Sequence, residues 1–132
     1  MAIFNAPVRQ ADHAVRAARA ALGMQATTAS IESDPATPRF RVGLNTGPAL
    51  VGNVGSAELR NFTAIGDTTN LAARLQTFAP PGSVAIARRT VELLEDLAVV
   101  QPLGRPLLKG KSSPVEVYEL VALRAPVTPS LQ

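Results

Sequence analysis

The sequence predicts an α+β fold, one domain or part of one, and three observations carry that prediction. Helix-like and strand-like segments intermix without a strict β-α alternation, which disfavours a doubly wound parallel sheet. Hydrophobic residues make up 46% of the 132, enough for a packed core, while aromatics are 4% and Trp is absent. The core is therefore expected to be Leu, Val, Ile and Ala. The run Phe62-Thr63-Ala64-Ile65-Gly66-Asp67-Thr68-Thr69-Asn70-Leu71-Ala72-Ala73-Arg74 reads as a short strand, a Gly-Asp turn and a helix, and it is the most informative stretch of the chain.

The elements follow in order. Met1 to Phe4 reads as a strand that stops at Asn5-Ala6-Pro7. Ala11 to Gln25 is Ala- and Arg-rich, with Val15, Ala18 and Leu22 near helical spacing, and predicts a helix. Thr27 to Pro38 is small and polar with two prolines, and reads as a loop. Arg39 to Asn45 alternates as a strand does, and Pro48 to Val54 reads as a second strand after the Thr46-Gly47-Pro48 turn. The glycines at 47, 52 and 55 suit a tight hairpin between these two strands. Ser56 to Asn61 reads as a loop.

The helix from Asp67 to Phe78 is expected to be capped by the Asp67 carboxylate. Its stripe of Leu71, Leu75 and Phe78 should face a core. Ala79-Pro80-Pro81-Gly82 stops it. A short strand over Ser83–Ala87 and a short helix over Arg88–Leu97 come next. Strands over Val99–Leu103 and Val115–Val121 flank a Lys-Gly-Lys turn, and the tail from Ala125 reads as frayed.

Composition excludes several chemistries. The chain has no Cys, so a disulfide scaffold, a thiolate metal site and a Cys nucleophile are ruled out. One histidine, His13, cannot make a zinc site, and no Gly-x-Ser-x-Gly elbow accompanies it, so it reads as a solvated helix residue beside Asp12. No apolar run reaches the roughly 18 residues a membrane span needs. The first residues lack a basic signal-peptide region, and cytoplasm is the default compartment. The net charge is +3, but the basic residues are scattered and predict no nucleic-acid partner. Lys109 and Lys111 are the only lysines, and they share the tetrapeptide Leu108-Lys109-Gly110-Lys111. Gly47 and Gly52 have Walker A spacing, but Asn53 follows where a Lys is required, so no phosphate loop is read there.

Asn70 and Arg74 remain as the candidate pair. Four residues apart, they share one helical face. An amide and a guanidinium stacked near a helix start suit an oxygen-rich anion, above all a phosphate in motion.

At this point the chain resembles the class III nucleotidyl cyclase catalytic domain, the adenylate/guanylate cyclase homology domain. The matching stretches are Arg41 to Pro48, Gly52 to Ser56, Asn61 to Leu75, and Leu108-Lys109-Gly110-Lys111 followed by Pro114-Val115-Glu116-Val117-Tyr118, in the family's order and spacing. The resemblance implies a ferredoxin-like cyclase fold over residues 1–123, followed by a disordered tail over 124–132. It implies that Asn70 orients the ribose and that Arg74 stabilises charge on the phosphorus. It also implies that Thr63 selects the base, favouring adenine, and that Lys109 binds the triphosphate. The implied reaction is attack of the ribose 3′-hydroxyl on the α-phosphate of ATP, giving cyclic AMP and pyrophosphate.

The same resemblance implies magnesium or manganese as cofactor. Yet neither of the family's two metal-binding aspartate motifs is found here, and none of the ten acidic residues occupies one. The chain is therefore expected to correspond to the C-terminal two-thirds of the domain, with Met1 an internal methionine of a longer protein. The first strand would lie between the strands at Met1 and Arg41, so marginal stability or pairing with another chain is expected. Metals of this kind are worth several kcal/mol. At about 1.36 kcal/mol per tenfold, their loss would cost roughly a thousandfold or more in rate. Family sites form at a head-to-tail dimer interface, which implies a homodimer or a heterodimer with another cyclase domain. Three readings stay open: a shortened adenylate cyclase, a non-catalytic partner of a whole cyclase, and a nucleotide-binding regulatory module.

Overall fold

A computed structural model of the chain describes residues 2–5, 9–31, 39–48, 50–54, 61–108 and 111–124. The elements are α1 (His13–Ile31), β1 (Val42–Leu44), β2 (Leu50–Val54), β3 (Asn61–Ile65), α2 (Asp67–Phe78), β4 (Val84–Ala87), α3 (Arg88–Leu94), β5 (Ala98–Gly104) and β6 (Val117–Leu123). A 3₁₀ turn, Glu95–Leu97, joins α3 to β5. The α+β class holds.

Four strands form one sheet in the order β1-β4-β6-β5. β1 runs parallel to β4, with Val42 opposite Val84 and Leu44 opposite Ile86. β4 and β5 each run antiparallel to β6. β4 explains the layering. Its four residues, Val-Ala-Ile-Ala, are all buried, so both of its faces are covered. Val84 and Ile86 face a core with Ala14, Ala18 and Ala21 of α1, Leu94 of α3, and Leu120 of β6. Ala85 and Ala87 face the other way, toward Leu75 and Ala79 at the end of α2 and toward Val117. A sheet with helices on both faces follows from that two-residue period.

Small residues let α2 come close. A Cβ on Gly43 of β1 would run into the backbone Ala72 O and Gln76 N of α2, and would sit 3.0 Å from Gln76 Cα. The helix therefore lies directly on the β1 backbone.

Several expectations are corrected. Residues 2–5 form no strand, because no described strand pairs with them; backbone groups without a ladder partner turn elsewhere. The Asn5 and Gln10 backbone N–H groups instead bond each other's side chains, at 3.2 and 2.5 Å, and lead into α1. α1 continues through Thr27 and Thr28 to Ile31, where a loop was expected. Thr28 Oγ1 donates back to Met24 O at 2.9 Å, which accommodates a hydroxyl inside the helix. The expected hairpin between β1 and β2 is absent: β1 pairs with β4, and β2 pairs antiparallel with β3. The segment after β1 is bonded to α2 instead of turning back on β1: Thr68 Oγ1 donates to Pro48 O at 2.5 Å, and Asn45 Nδ2 to Thr68 O at 3.0 Å. Asn61 begins β3 instead of ending a loop. The helix expected to reach Leu97 tightens to 3₁₀ after Leu94, where Glu95 takes a φ of 51°. The tail from residue 125 lies outside the described residues.

Candidate functional site

β3 feeds α2 through Gly66, which has a φ of 132° and a ψ of −174°. That conformation belongs to glycine. As the N-cap residue Gly66 has no side chain to offer, and α2 has no side-chain cap. Asp67 is therefore not the cap that the sequence suggested. Its carboxylate turns across the fold to Lys111 Nζ, 2.7 Å away. It still lies in the first turn, where negative charge opposes the helix dipole favourably.

The first turn of α2 is held from three sides. Asn45 Nδ2 donates to Thr68 O at 3.0 Å. Thr68 Oγ1 donates to Pro48 O. Lys111 Nζ binds Asp67. Beneath the turn, Leu71 packs on the core of Leu75, Ala79, Ala85, Ala87 and Val117.

Asn70 and Arg74 stand on the bare side of this helix. Both are exposed, and among the described residues neither side chain has a hydrogen bond or ion pair. Their spacing puts them one turn, roughly 5.4 Å of rise, apart on a single face. Thr63 lies in β3 opposite Gly52, on the strand that delivers the chain to α2. Lys109 lies outside the described residues. Lys111 was not singled out from the sequence; its one signal was the tetrapeptide shared with Lys109.

An open cleft of about 410 Å³ adjoins the same turn, lined by Thr46, Asp67, Thr68, Arg88, Arg105 and Glu116 among others. Asn70 and Arg74 are not part of its wall. Two of its three lining arginines, Arg88 and Arg89, face acidic partners. Arg88 is 2.9 Å from Glu116 and 3.3 Å from Glu92. The Glu116 hydrogen bond and charge, then Glu92, hold the Arg88 guanidinium more firmly protonated. Among the described residues no three His, Cys, Asp or Glu side chains gather where they could hold a metal ion. Asp67, the acid nearest the candidate pair in sequence, is taken by Lys111. The described residues thus do not fit a metal site. No described helix is long and apolar enough to cross a membrane.

Comparison with known proteins agrees with this architecture. The family model for the adenylate and guanylate cyclase catalytic domain matches residues 1–122. Adenylate cyclase 1 of Rhizobium meliloti is 36% identical over 129 residues, covering 92% of this chain and 19% of that protein. The chain thus spans about a fifth of that curated relative. The crystal structure of the adenylyl cyclase CyaB from P. aeruginosa superposes with a TM-score of 0.81 at 29% identity, covering 95% of this chain and 68% of that one. The guanylate cyclase domain of RhGC from Catenaria anguillulae, solved in complex with GTP, gives a TM-score of 0.77 at 27% identity, covering 92% of this chain and 66% of that one.

Proposed function

The chain belongs to the adenylate and guanylate cyclase catalytic domain family, and from that premise we propose that it supplies the Asn70 and Arg74 half of an adenylate cyclase site completed by a second cyclase domain. One observation carries the reading. Asn70 and Arg74 share an exposed helical face without partners among the described residues, on a helix whose first turn is tied at three points. Polar groups left bare on an immobilised turn are preorganised for something outside the chain.

The reaction is intramolecular on the nucleotide. The ribose 3′-oxygen forms a bond to the α-phosphorus, the bond to the pyrophosphate oxygen breaks, and the 3′-hydroxyl proton leaves to a base. Asn70 holds the ribose through its amide, which keeps the 3′-oxygen in line. Arg74 places its fixed fork of donors on the α-phosphate oxygens, where charge changes most during ring closure. Thr63, on β3, contributes to the choice of adenine, and Lys109 binds the triphosphate. In this arrangement the metal carboxylates belong to the second domain, and no step runs through a metal on this chain.

A mixing experiment tests this. A whole adenylate cyclase is disabled by replacing its own Asn and Arg at the positions matching Asn70 and Arg74, and purified chain is titrated in with manganese and ATP. Cyclic AMP should appear in proportion to the chain added, while the chain alone stays at background. Failure of rescue across the titration overturns the proposal, as does robust production by the chain alone.

A further inference from the structure

We propose that Lys111 is a positioning residue that locks the connection between β5 and β6 onto the first turn of α2 and so sets the stance of Asn70 and Arg74. The catalytic consequence rests on the function proposed above; the lock itself does not. The connection folds back on itself: Lys111 N donates to Leu108 O and Val115 N to Pro106 O, each at 3.0 Å. Leu108 and Val115 then pack on the same core as Leu71 and Leu75 of α2. Lys111 completes the attachment with a charge, reaching Asp67 across 44 positions of sequence.

The geometry of the pair favours a lock over a loose surface contact. The Lys111 side chain is 28% exposed, against 72% for Asp67. Most of the Lys111 side chain is thus sheltered, and the exposed carboxylate meets its ammonium at 2.7 Å. Of the three ties on this turn, it is the only one made by charges. The other two hold the turn from the β1 side through Asn45 and Pro48, and Lys111 holds it from the β5–β6 side. Asn70 begins the helical ladder here, its N–H bonding Gly66 O at 3.1 Å. A shift of the first turn therefore carries Asn70 with it, and Arg74 one turn later.

The test uses the full chain in four forms: Lys111→Met, Asp67→Asn, the double variant, and Arg16→Gln. The last removes an exposed ion pair at the start of α1, which packs on the opposite face of the sheet from α2. In the complementation assay, Lys111→Met and Asp67→Asn should each lower kcat about five- to tenfold with KM nearly unchanged, since small misplacement of catalytic groups costs rate more than binding. The double variant should lose no more than either single one, because both remove the same contact. Hydrogen exchange of the amides of residues 67–71, followed on the chain alone, should quicken in the three α2-related forms and stay unchanged in Arg16→Gln. Full kcat in Asp67→Asn alongside a loss in Lys111→Met would mean that Lys111 touches the nucleotide itself, and would overturn the proposal. Multiplying losses in the double variant would overturn it too. If the unmodified chain fails to complement, the proposed function falls, and amide exchange alone decides the lock: unchanged exchange in Lys111→Met ends it.

Discussion

Among the described glycines, Gly43 lies closest to neighbouring backbone and gives the sharpest prediction, which concerns one methyl group. In Gly43→Ala the new Cβ meets Ala72 O and Gln76 N at less than contact distance and Gln76 Cα at 3.0 Å. All three atoms belong to the α2 backbone, so no rotamer change relieves the clash. Ordinary carbon contacts need about 3.5–4.0 Å, so α2 must withdraw by at least about half an ångström. The helix carries Leu75 and Ala79, which are 0% and 2% exposed, and they lose part of their seat against Ala85, Ala87 and Val117. Overpacking of this kind costs about 1–3 kcal/mol or more, and the rigid obstacle puts this case near 3. For a chain of this length that corresponds to a drop in Tm of about 10 °C. The same substitution at Gly23 should act in the opposite sense. Gly23 is inside α1, and a methyl group added there would meet nothing within 4 Å. Gly→Ala in a helix interior gains about 0.5–1 kcal/mol. Circular dichroism melts and urea midpoints of the three proteins read both effects. A Gly43→Ala melt within about 2 °C of the parent would refute the packing argument, at this expected scale; so would a destabilised Gly23→Ala.

Three further outcomes follow. Leu75→Ala empties a fully buried site in the α2 core, and should cost about 3 kcal/mol in urea unfolding; a cost below about 1 kcal/mol would mean that the core collapses around the gap. Asn70→Ala and Arg74→Ala remove exposed groups that have no partner among the described residues, so stability should hold within about 0.5 kcal/mol, while the complementing kcat falls about a hundredfold or more; a matched loss of stability would reveal a structural role. Arg16 donates to Asp12 at 2.7 Å, and that hydrogen bond holds the Asp12 carboxyl below the ordinary aspartate value. A lowered acid contributes stability that is present above its ordinary pKa, about 4, and is lost as pH falls through the lowered value. Arg16→Gln should therefore move the Asp12 titration upward by NMR and weaken the chain slightly above that range, with the difference vanishing at lower pH; an unmoved Asp12 titration would contradict this.

Some of this was legible in the sequence, for local reasons. α2 runs over the expected residues because an apolar stripe, a Gly-Asp start and a Pro-Pro-Gly stop all act within one helix length. The stripe was read one position short: Leu75 is buried, but Phe78 is 36% exposed and Ala79 takes the buried place. A helix lying on the glycine backbone of β1 has room at its end for a methyl and none for a ring. The strand partners were not legible. Alternation in β1 says which side chains share a face, but is silent on whether β2 or β4 lies alongside, and tertiary packing chose β4.

The site divides along the same line. The i, i+4 relation of Asn70 and Arg74 is written in the sequence, and the helix delivers it. The support beneath the pair is not, since Asn45, Pro48 and Lys111 approach the first turn from 23, 20 and 44 positions away. These supports account for the exposure of the pair. Asp67, Thr68 and Leu71 use the remaining directions around the helix start for an ion pair, two hydrogen bonds and core packing. Asn70 and Arg74 occupy a face of the helix on which neither side chain has a partner among the described residues. A guanidinium and an amide without partners among the described residues, on a helix whose first turn is held at three points, have little to gain from the described fold, which is why the reading of a site completed from outside accounts for both the ties below them and the bareness above.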